Sequence, residues 1–530
     1  MTVEYAELME LSLRPIATTS HLSRACPMRK NILWFGVRPL PGVVERLELR
    51  GFHLLENPEP SKLIDGLLAE SWVAVISQDL EVPDDEFDPY KHLERLLDHG
   101  ILILIVADRT SWAQIREEKL LAIDGSFNWD RVVRFIPDWT QTNFDNIVAF
   151  VPPVKWKSLR LVVENGGERL LENEERILFR AFPKADEVRI SELWKGLSGA
   201  RVFMVHEKRM KQEASISYWT QPRLVKIGDR EEISNEVAAM RDISPFVPFE
   251  LRPNLETHVE GMRKALFVAD FVDKSESLYD AAWAGRAEAA ISNLFSRTLG
   301  IWRQQGRKRD GVLESLATAA ERLGIVSPGQ ILPLYSQSEA AQVAGIDVSV
   351  LWNQLKEIQF VHRAAFIHGD LHGNNVRVRG QDAILIDFGS VKGSDRRGAG
   401  APLCFDVAMF EVALVFEYNP SDVDASFEQK KWREKVESWY EFDTIRTSGD
   451  SREEPLENDW LGGCLPRIRA YGIYEHSDAR EYPLALAIAM LRLCKFPVTS
   501  PAEKGRRIYG LTTAAKIIGG AYRRGVKHES

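Results

Sequence analysis

Cysteine is scarce in this chain: Cys26, Cys404, Cys464 and Cys494 are the only four among 530 residues. They lie far apart and form no C-x-x-C pair, which argues against a zinc ribbon or a disulfide framework. Such spacing predicts buried free thiols in a reducing compartment. Long hydrophobic runs are also missing. The longest strongly apolar stretches, Ile101 to Ala107 and Leu484 to Cys494, fall short of the roughly 20 residues a membrane helix needs. The N-terminal MTVEYAELMELSLRP has no basic segment ahead of an apolar one, so no secretory leader is expected. Positive charge is not in excess. With 68 Lys and Arg against 77 Asp and Glu, the net charge is −9, and no global basic footprint for nucleic acid exists. Neither internal repeats nor low-complexity tracts occur. A soluble, cytoplasmic protein with no nucleic-acid and no membrane partner is the expectation.

What is present is an ordinary globular composition, 45% hydrophobic and 27% charged, with 35 Gly and 25 Pro. That excludes a disordered, collagen-like or coiled-coil chain. At roughly 150 residues per domain the length predicts two to four domains. The first 150 residues alternate strand and helix signals. Ile32 to Val37, Trp72 to Ser77, Ile101 to Ala107 and Val132 to Ile136 read as buried strands. Val43 to Arg50 and Tyr90 to His99 read as helices, closed by Gly51 and Gly100. Continuous apolar strands separated by helices predict a parallel sheet covered on both faces. This layout resembles a flavodoxin-like receiver domain. The resemblance stops at topology: the first strand ends in Gly36-Val37-Arg38-Pro39, without the acidic pair a receiver carries. Asp79 follows the second apolar strand, either as a phosphoacceptor or as a solvated loop residue of a degenerate scaffold.

Residues 151–185 read as a junction, broken by Val151-Pro152-Pro153 and by the Asn165-Gly166-Gly167 turn. From about 186 the chain is strand-rich to 274, interrupted by a helix over Arg230 to Asp242. Beyond 275 it is mostly helical.

The most informative stretch is Phe366-Ile367-His368-Gly369-Asp370-Leu371-His372-Gly373-Asn374-Asn375-Val376, followed by Ile386-Asp387-Phe388-Gly389. Two short apolar segments around Gly380-Gln381-Asp382 predict a β-hairpin. That hairpin would bring Asp387 back beside Asn375, clustering hard oxygen ligands near a free carboxylate. Phosphoryl transfer from ATP needs such a cluster. Mg²⁺ takes carboxylate, amide and phosphate oxygens, and a separate Asp orients the attacking hydroxyl. The spacing H-x-D-x-x-x-x-N followed by D-F-G is the kinase signature set. With Gly369 after His368, and with His372, the loop resembles that of aminoglycoside and choline phosphotransferases. The resemblance implies that Asp370 is the catalytic base and that Asn375 and Asp387 hold Mg²⁺. It also implies that His368 and His372 support the loop, and that Asp406 buttresses it. A plain helix N-cap is the alternative for Asp406.

Upstream, Lys195-Gly196-Leu197-Ser198-Gly199-Ala200 offers a glycine loop, with Gly196, Ser198 and Gly199 as phosphate contacts. Lys226 lies centred in the apolar Leu224 to Ile227, facing away from Val225 and Ile227. Glu236 follows ten residues later on a helix. In this order the pair would position the nucleotide phosphates; alone, Lys226 reads equally as an edge lysine. Phe271-Val272-Asp273 is the expected hinge that meets adenine.

The expected architecture is multidomain, α/β plus α+β. It comprises a receiver-like α/β domain over 1–150, the junction over 151–185, a protein-kinase-like N-lobe over 186–274 and a helical C-lobe over 275–530. The expected activity is ATP- and Mg²⁺-dependent phosphotransfer to a hydroxyl acceptor, either a small molecule or a protein partner. Two alternatives stay open: a signalling or conflict-system kinase-like module that docks a protein, and an inactive nucleotide-binding scaffold. The interval 421–460 holds twelve Asp or Glu against six Lys or Arg. It reads as a solvated charged face or as a wall for a cationic substrate. The final segment, with Lys504, Arg506, Arg507, Lys516, Arg523, Arg524 and Lys527, reads as a solvated basic tail or as a surface for an acidic partner. Trp156, Trp194, Trp219, Trp283, Trp302 and Trp352 read as core.

Overall fold

The computed structural model describes residues 31–36, 39, 41–49, 51–58, 63, 65–77, 88–125, 129–136, 159–164, 168–195, 199–211, 216–308, 313–336, 346–393, 400–417, 429–447, 460–476, 478–497 and 501–526. Cys26, Asp79, Val151 to Pro153, Trp156, the Asn165-Gly166-Gly167 turn, Gly196, Ser198 and Lys527 lie outside them. Among the described residues the chain divides into two compact units. One takes residues 1–160 and 170–185, the other 161–169 and 186–530.

The first unit is built on five parallel strands: β1 (Asn31–Phe35), β2 (His53–Glu56), β3 (Ser71–Ser77), β4 (Leu102–Val106) and β5 (Val133–Ile136). Their order is β2-β1-β3-β4-β5, one of the common orders of open doubly wound sheets. Successive residues Ile103, Leu104 and Ile105 of β4 are all buried, so both faces of that strand are covered. The sequence reading has no strand at β2. Only Leu54 and Leu55 are apolar there and the strand is half-exposed, so periodicity is weak. A helix over Pro41–Leu49 begins with proline, whose missing N–H costs nothing in a first turn. The helix Glu172–Ala181 also belongs to this unit, where Arg180 donates to the carbonyls of Leu97 and Asp98 at 3.2 and 3.0 Å.

In the second unit seven strands form one sheet: β6 (Arg160–Val163), β7 (Glu187–Lys195), β8 (Arg201–Lys211), β9 (Ile216–Trp219), β10 (Arg223–Asp229), β11 (Leu255–Glu260) and β12 (Lys264–Asp270). The order is β11-β12-β10-β8-β7-β6, with β9 paired to β8. Strands β8, β10, β11 and β12 pair antiparallel, which sets Lys226 opposite Val202 on one side and Phe267 on the other. The helix Arg230–Ile243 follows β10 directly and buries Ile233, Glu236, Val237, Met240 and Ile243, a stripe at helical spacing.

Beyond residue 275 helices dominate. The helix Cys404–Val412 and the helix Glu481–Leu493 are buried along their whole length. Inside, Glu411 accepts from Arg469 Nε at 3.0 Å and from the Tyr482 hydroxyl at 2.7 Å, so these buried polar groups are mutually paired. The C-terminal helix Pro501–Val526 is not a solvated tail. Leu511, Ala514, Ile518 and Ala521 recur at helical spacing and are buried, and Arg507 is buried as well. Cys404, Cys464 and Cys494 are buried free thiols. Trp302 and Trp352 are core, whereas Trp219 and Trp283 are each 38% exposed. Trp219 instead carries the Arg189 guanidinium 4.3 Å above its ring. No helix of the described residues is long and apolar enough to cross a membrane.

Candidate active site

Strand alternation puts Leu224 and Lys226 on one face of β10 while Val225 and Ile227 are buried on the other. Lys226 therefore enters a cavity of about 260 Å³ whose walls include Val202, Leu224, Met240, Phe267 and Ile386. The chain just after β12, Asp270 to Val272, forms one edge of this slot, and Lys226, Glu236 and Asp387 form its polar end. Lys226 Nζ stands 2.8 Å from Glu236 Oε2 and 3.2 Å from Asp387 Oδ1. Residues 161 positions apart in sequence thus meet on one ammonium.

This cluster holds two carboxylates against one cation. Burial alone would lower the Lys226 ammonium, but Glu236 and Asp387 outweigh it and raise its pKa. Burial pushes Glu236 up to about 7; Lys226 opposes that rise, and the negative charge of Asp387 adds to it. A carboxyl raised above its ordinary 4.5 favours the fold below that pH, and this contribution is lost as pH rises through about 7. Glu236→Gln, which cannot ionise, is expected to melt at increasing temperature relative to wild type between pH 5 and 8. A gap in melting temperature that stays constant over that range would contradict the assignment.

The His368 to Asn375 loop is fixed from below. Asp406 accepts the backbone N–H of His368 at 2.7 Å and that of Gly369 at 2.9 Å. It lies inside the first turn of its helix, and the cap position belongs to Leu403, so the plain N-cap alternative fails. His368 is fully buried; its Nε2 meets the Ile386 carbonyl at 3.2 Å. Gly369 has φ of +76°, and a Cβ there would stand 2.3 Å from the Ser390 carbonyl oxygen, so only glycine fits. Backbone bonds of 3.0 Å in both directions between Ile367 and Lys392 clamp the same region. A side chain at Gly373 would stand 2.3 Å from the Tyr279 ring, which in turn stacks on His372.

The 376–379 and 382–385 strands form the expected hairpin, turning at Gly380 with φ of +65°. Its return strand hands Ile386 N–H to the Asn375 carbonyl at 2.9 Å. Asp387 is thereby brought back beside Asn375, with φ of +58°, a left-handed conformation that carbon-branched residues avoid. Asn375 is buried and donates its amide nitrogen to the Asp370 carbonyl at 3.0 Å, which leaves its Oδ1 as a donor atom for a ligand. The Asp387 carboxylate is 42% exposed. Together they fit a hard cation that completes its shell with phosphate and water oxygens. Among the described residues no three His, Cys, Asp or Glu side chains gather into a metal cage of their own.

Asp370 itself is paired. Arg492 Nη2 donates to its Oδ1, and His372 Nε2 lies 3.7 Å from its Oδ2. Burial alone would raise the Asp370 carboxyl, but the neighbouring His372 and Arg492 outweigh it and hold it below the ordinary carboxylate range. Burial likewise works against the His372 imidazolium, and Asp370 outweighs it and raises that pKa. Arg492 is absent from the sequence reading. It is the lone charge between Tyr482 and Cys494 in the otherwise apolar C-terminal part of its helix, a signal that could have found it. Gly199, with φ of +84°, is the described member of the proposed glycine loop.

No protein-family model and no curated protein matches this chain. Among solved structures, an aminoglycoside phosphotransferase from Streptomyces rimosus is similar at 14% identity and a TM-score of 0.27, over 56% of this chain and 97% of that one. An aminoglycoside-3'-phosphotransferase of type VIII is similar at 15% identity and a TM-score of 0.28, over 54% and 93%. A Haemophilus somnus protein assigned as a fructosamine-3-kinase is similar at 12% identity and a TM-score of 0.31, over 62% and 90%. Likeness at this level leaves the function to be argued from the geometry of the site.

Proposed function

We propose that this chain is a phosphotransferase that binds ATP with Mg²⁺ in the slot beneath β10 and transfers the γ-phosphoryl group to a hydroxyl acceptor. The observation that carries it is the meeting of Lys226, Glu236 and Asp387 at one end of an apolar slot. The apolar walls suit a nucleobase, and the Asp270 to Val272 edge offers backbone groups to it. Lys226, held extended by Glu236, suits the phosphates. Asn375 and Asp387 would hold Mg²⁺, which when bound neutralises charge on the phosphate oxygens.

Asp370 is held ionised by its neighbours, so it can orient an acceptor hydroxyl and take its proton. The acceptor oxygen then bonds to the γ-phosphorus as the bond to the bridging oxygen breaks, and ADP leaves. Asp406 positions the loop rather than touching the reacting atoms. The same reading takes 186–274 and 275–530 as the two lobes of a protein-kinase-like domain and 1–150 as a receiver-like scaffold.

Transfer of label from γ-³²P ATP tests the proposal, with hydroxyl compounds and the protein itself as acceptors. Lys226→Met is expected to lose most ATP affinity and at least 10²-fold in rate. Label transfer that survives undiminished in that variant would reject the proposed nucleotide site.

A further inference from the structure

Cationic side chains gather around Asp370. Arg492 is only 8% exposed, and among the described residues Asp370 is the side chain that pairs with it. Its guanidinium lies 4.9 Å from the centre of the Phe496 ring, and Lys495 Nζ lies 5.6 Å from the same ring. Phe496 is thus a platform for two cations. Arg507 anchors that platform by donating to the carbonyls of Phe496 and Pro497 at 2.5 and 3.0 Å. Lys495 gives two of its three hydrogens to the Gly324 and Ile325 carbonyls at 3.3 and 3.1 Å, which fixes its position and leaves one donor. Lys392 completes the group. Its Cγ lies 2.9 Å from where a Cβ would stand on Gly369, the residue that precedes Asp370.

Neither Lys392 nor Lys495 forms an ion pair with a carboxylate among the described residues. The three cations feel one another. Burial lowers the Lys495 ammonium, the charges of Arg492 and Lys392 lower it further, and Asp370 pulls the other way. Glu417 adds a negative charge on the His372 side, where Asp370 and Arg492 also act on the raised imidazole. Among the described residues Arg492, Lys392, Lys495 and the His372 imidazolium outnumber Asp370 and Glu417, and an oxyanion supplies the missing counter-charge.

The described acids of the 421–460 interval lie at a different cavity. Its described part, 429–447, contributes Glu437, Glu441 and Asp443 to a separate cavity of about 460 Å³, where Glu437 pairs with Lys516 at 2.9 Å. That cavity shares no lining residue with the slot around Lys226.

Resting on the phosphotransferase reading above, we propose that the acceptor is a small hydroxyl compound bearing a carboxylate or a phosphate, and that Arg492, Lys392 and Lys495 receive this oxyanion beside Asp370. Arg492 is a specificity residue in this account: its fork bridges Asp370 and the acceptor's anion, fixing the hydroxyl against the carboxylate that takes its proton. A cationic amino alcohol would meet uncompensated like charge.

Calorimetric titration of the full chain tests this, in the presence of saturating Mg²⁺ and a non-hydrolysable ATP analogue that fills the nucleotide phosphate positions. The probes are inorganic phosphate in one arm, malonate in a second and choline in a third; the first two separate phosphate from carboxylate recognition. The variant is the double change Lys392→Gln, Lys495→Gln. Both lysines are half-exposed, so the fold is kept where Arg492→Gln would leave a hole in a buried helix. Wild type is expected to bind at least one anion, with a loss of about 10-fold or more in the double variant, and to ignore choline. Equal anion affinity in both proteins, no anion binding in wild type, or preferential binding of choline overturns the proposal. A protein that binds the analogue but no anion remains a phosphotransferase and loses the anionic acceptor. One that fails to bind the analogue loses both.

Discussion

Asp370→Asn is expected to lower kcat for phosphoryl transfer by roughly 10²–10⁴-fold while leaving ATP affinity nearly unchanged. Asparagine keeps the shape of the side chain and still accepts a hydrogen bond from Arg492, but it cannot take a proton. The proposed nucleotide site is elsewhere, at the paired Lys226, Glu236 and Asp387, so on that proposal binding and turnover separate cleanly in this variant. Steady-state rates with ATP, set beside calorimetric ATP titration, supply both quantities. A fall in affinity equal to the fall in rate would mean that Asp370 acts in binding. An unchanged rate would remove it from the chemistry.

Asp406→Ala is expected to be the most destabilising single change near the site. Its carboxylate is the acceptor for two buried amides, those of His368 and Gly369. Truncation leaves both N–H groups without a partner, at about 1–3 kcal/mol each. The sum of roughly 2–6 kcal/mol corresponds to a drop of several degrees in melting temperature for a unit of this size. Activity falls too, because the loop that presents Asp370 is no longer held. Burial pushes the Asp406 carboxyl up, and the two amides and His368 oppose that rise, so the group is tuned by the contacts it would lose. Melting curves of wild type and variant decide the point: a shift of less than a degree would show that the amides find other partners.

Much of this site was legible in the sequence because its parts are local. Asp370, Asn375 and Asp387 lie within eighteen residues, and Gly380 marks the turn that folds the third onto the second. Lys226 stood out as a charge in an apolar strand, and Glu236 as a carboxylate ten positions on. Their meeting across β10 and the following helix is a short-range consequence of strand and helix periods. Arg492 was not legible in the same way. It reaches Asp370 from 122 positions downstream, and only the packing of a wholly buried helix brings it there. The burial of the C-terminal helix is hard to read because its lysines and arginines mask the 511, 514, 518 and 521 stripe. Strand β2 escaped notice because a short, half-exposed strand carries almost no pattern. In the first unit the parallel sheet followed from runs such as that of β4, yet no chemistry did.

The central claim is that Asp387 and Asn375 serve a Mg²⁺-bound nucleotide held by Lys226. Titration of ATP with and without Mg²⁺ into wild type and Asp387→Asn measures it most directly. Mg²⁺ is expected to tighten ATP binding to wild type by 10-fold or more and to have little effect on the variant. An equal Mg²⁺ effect in both proteins, or no ATP binding in wild type, would contradict the account.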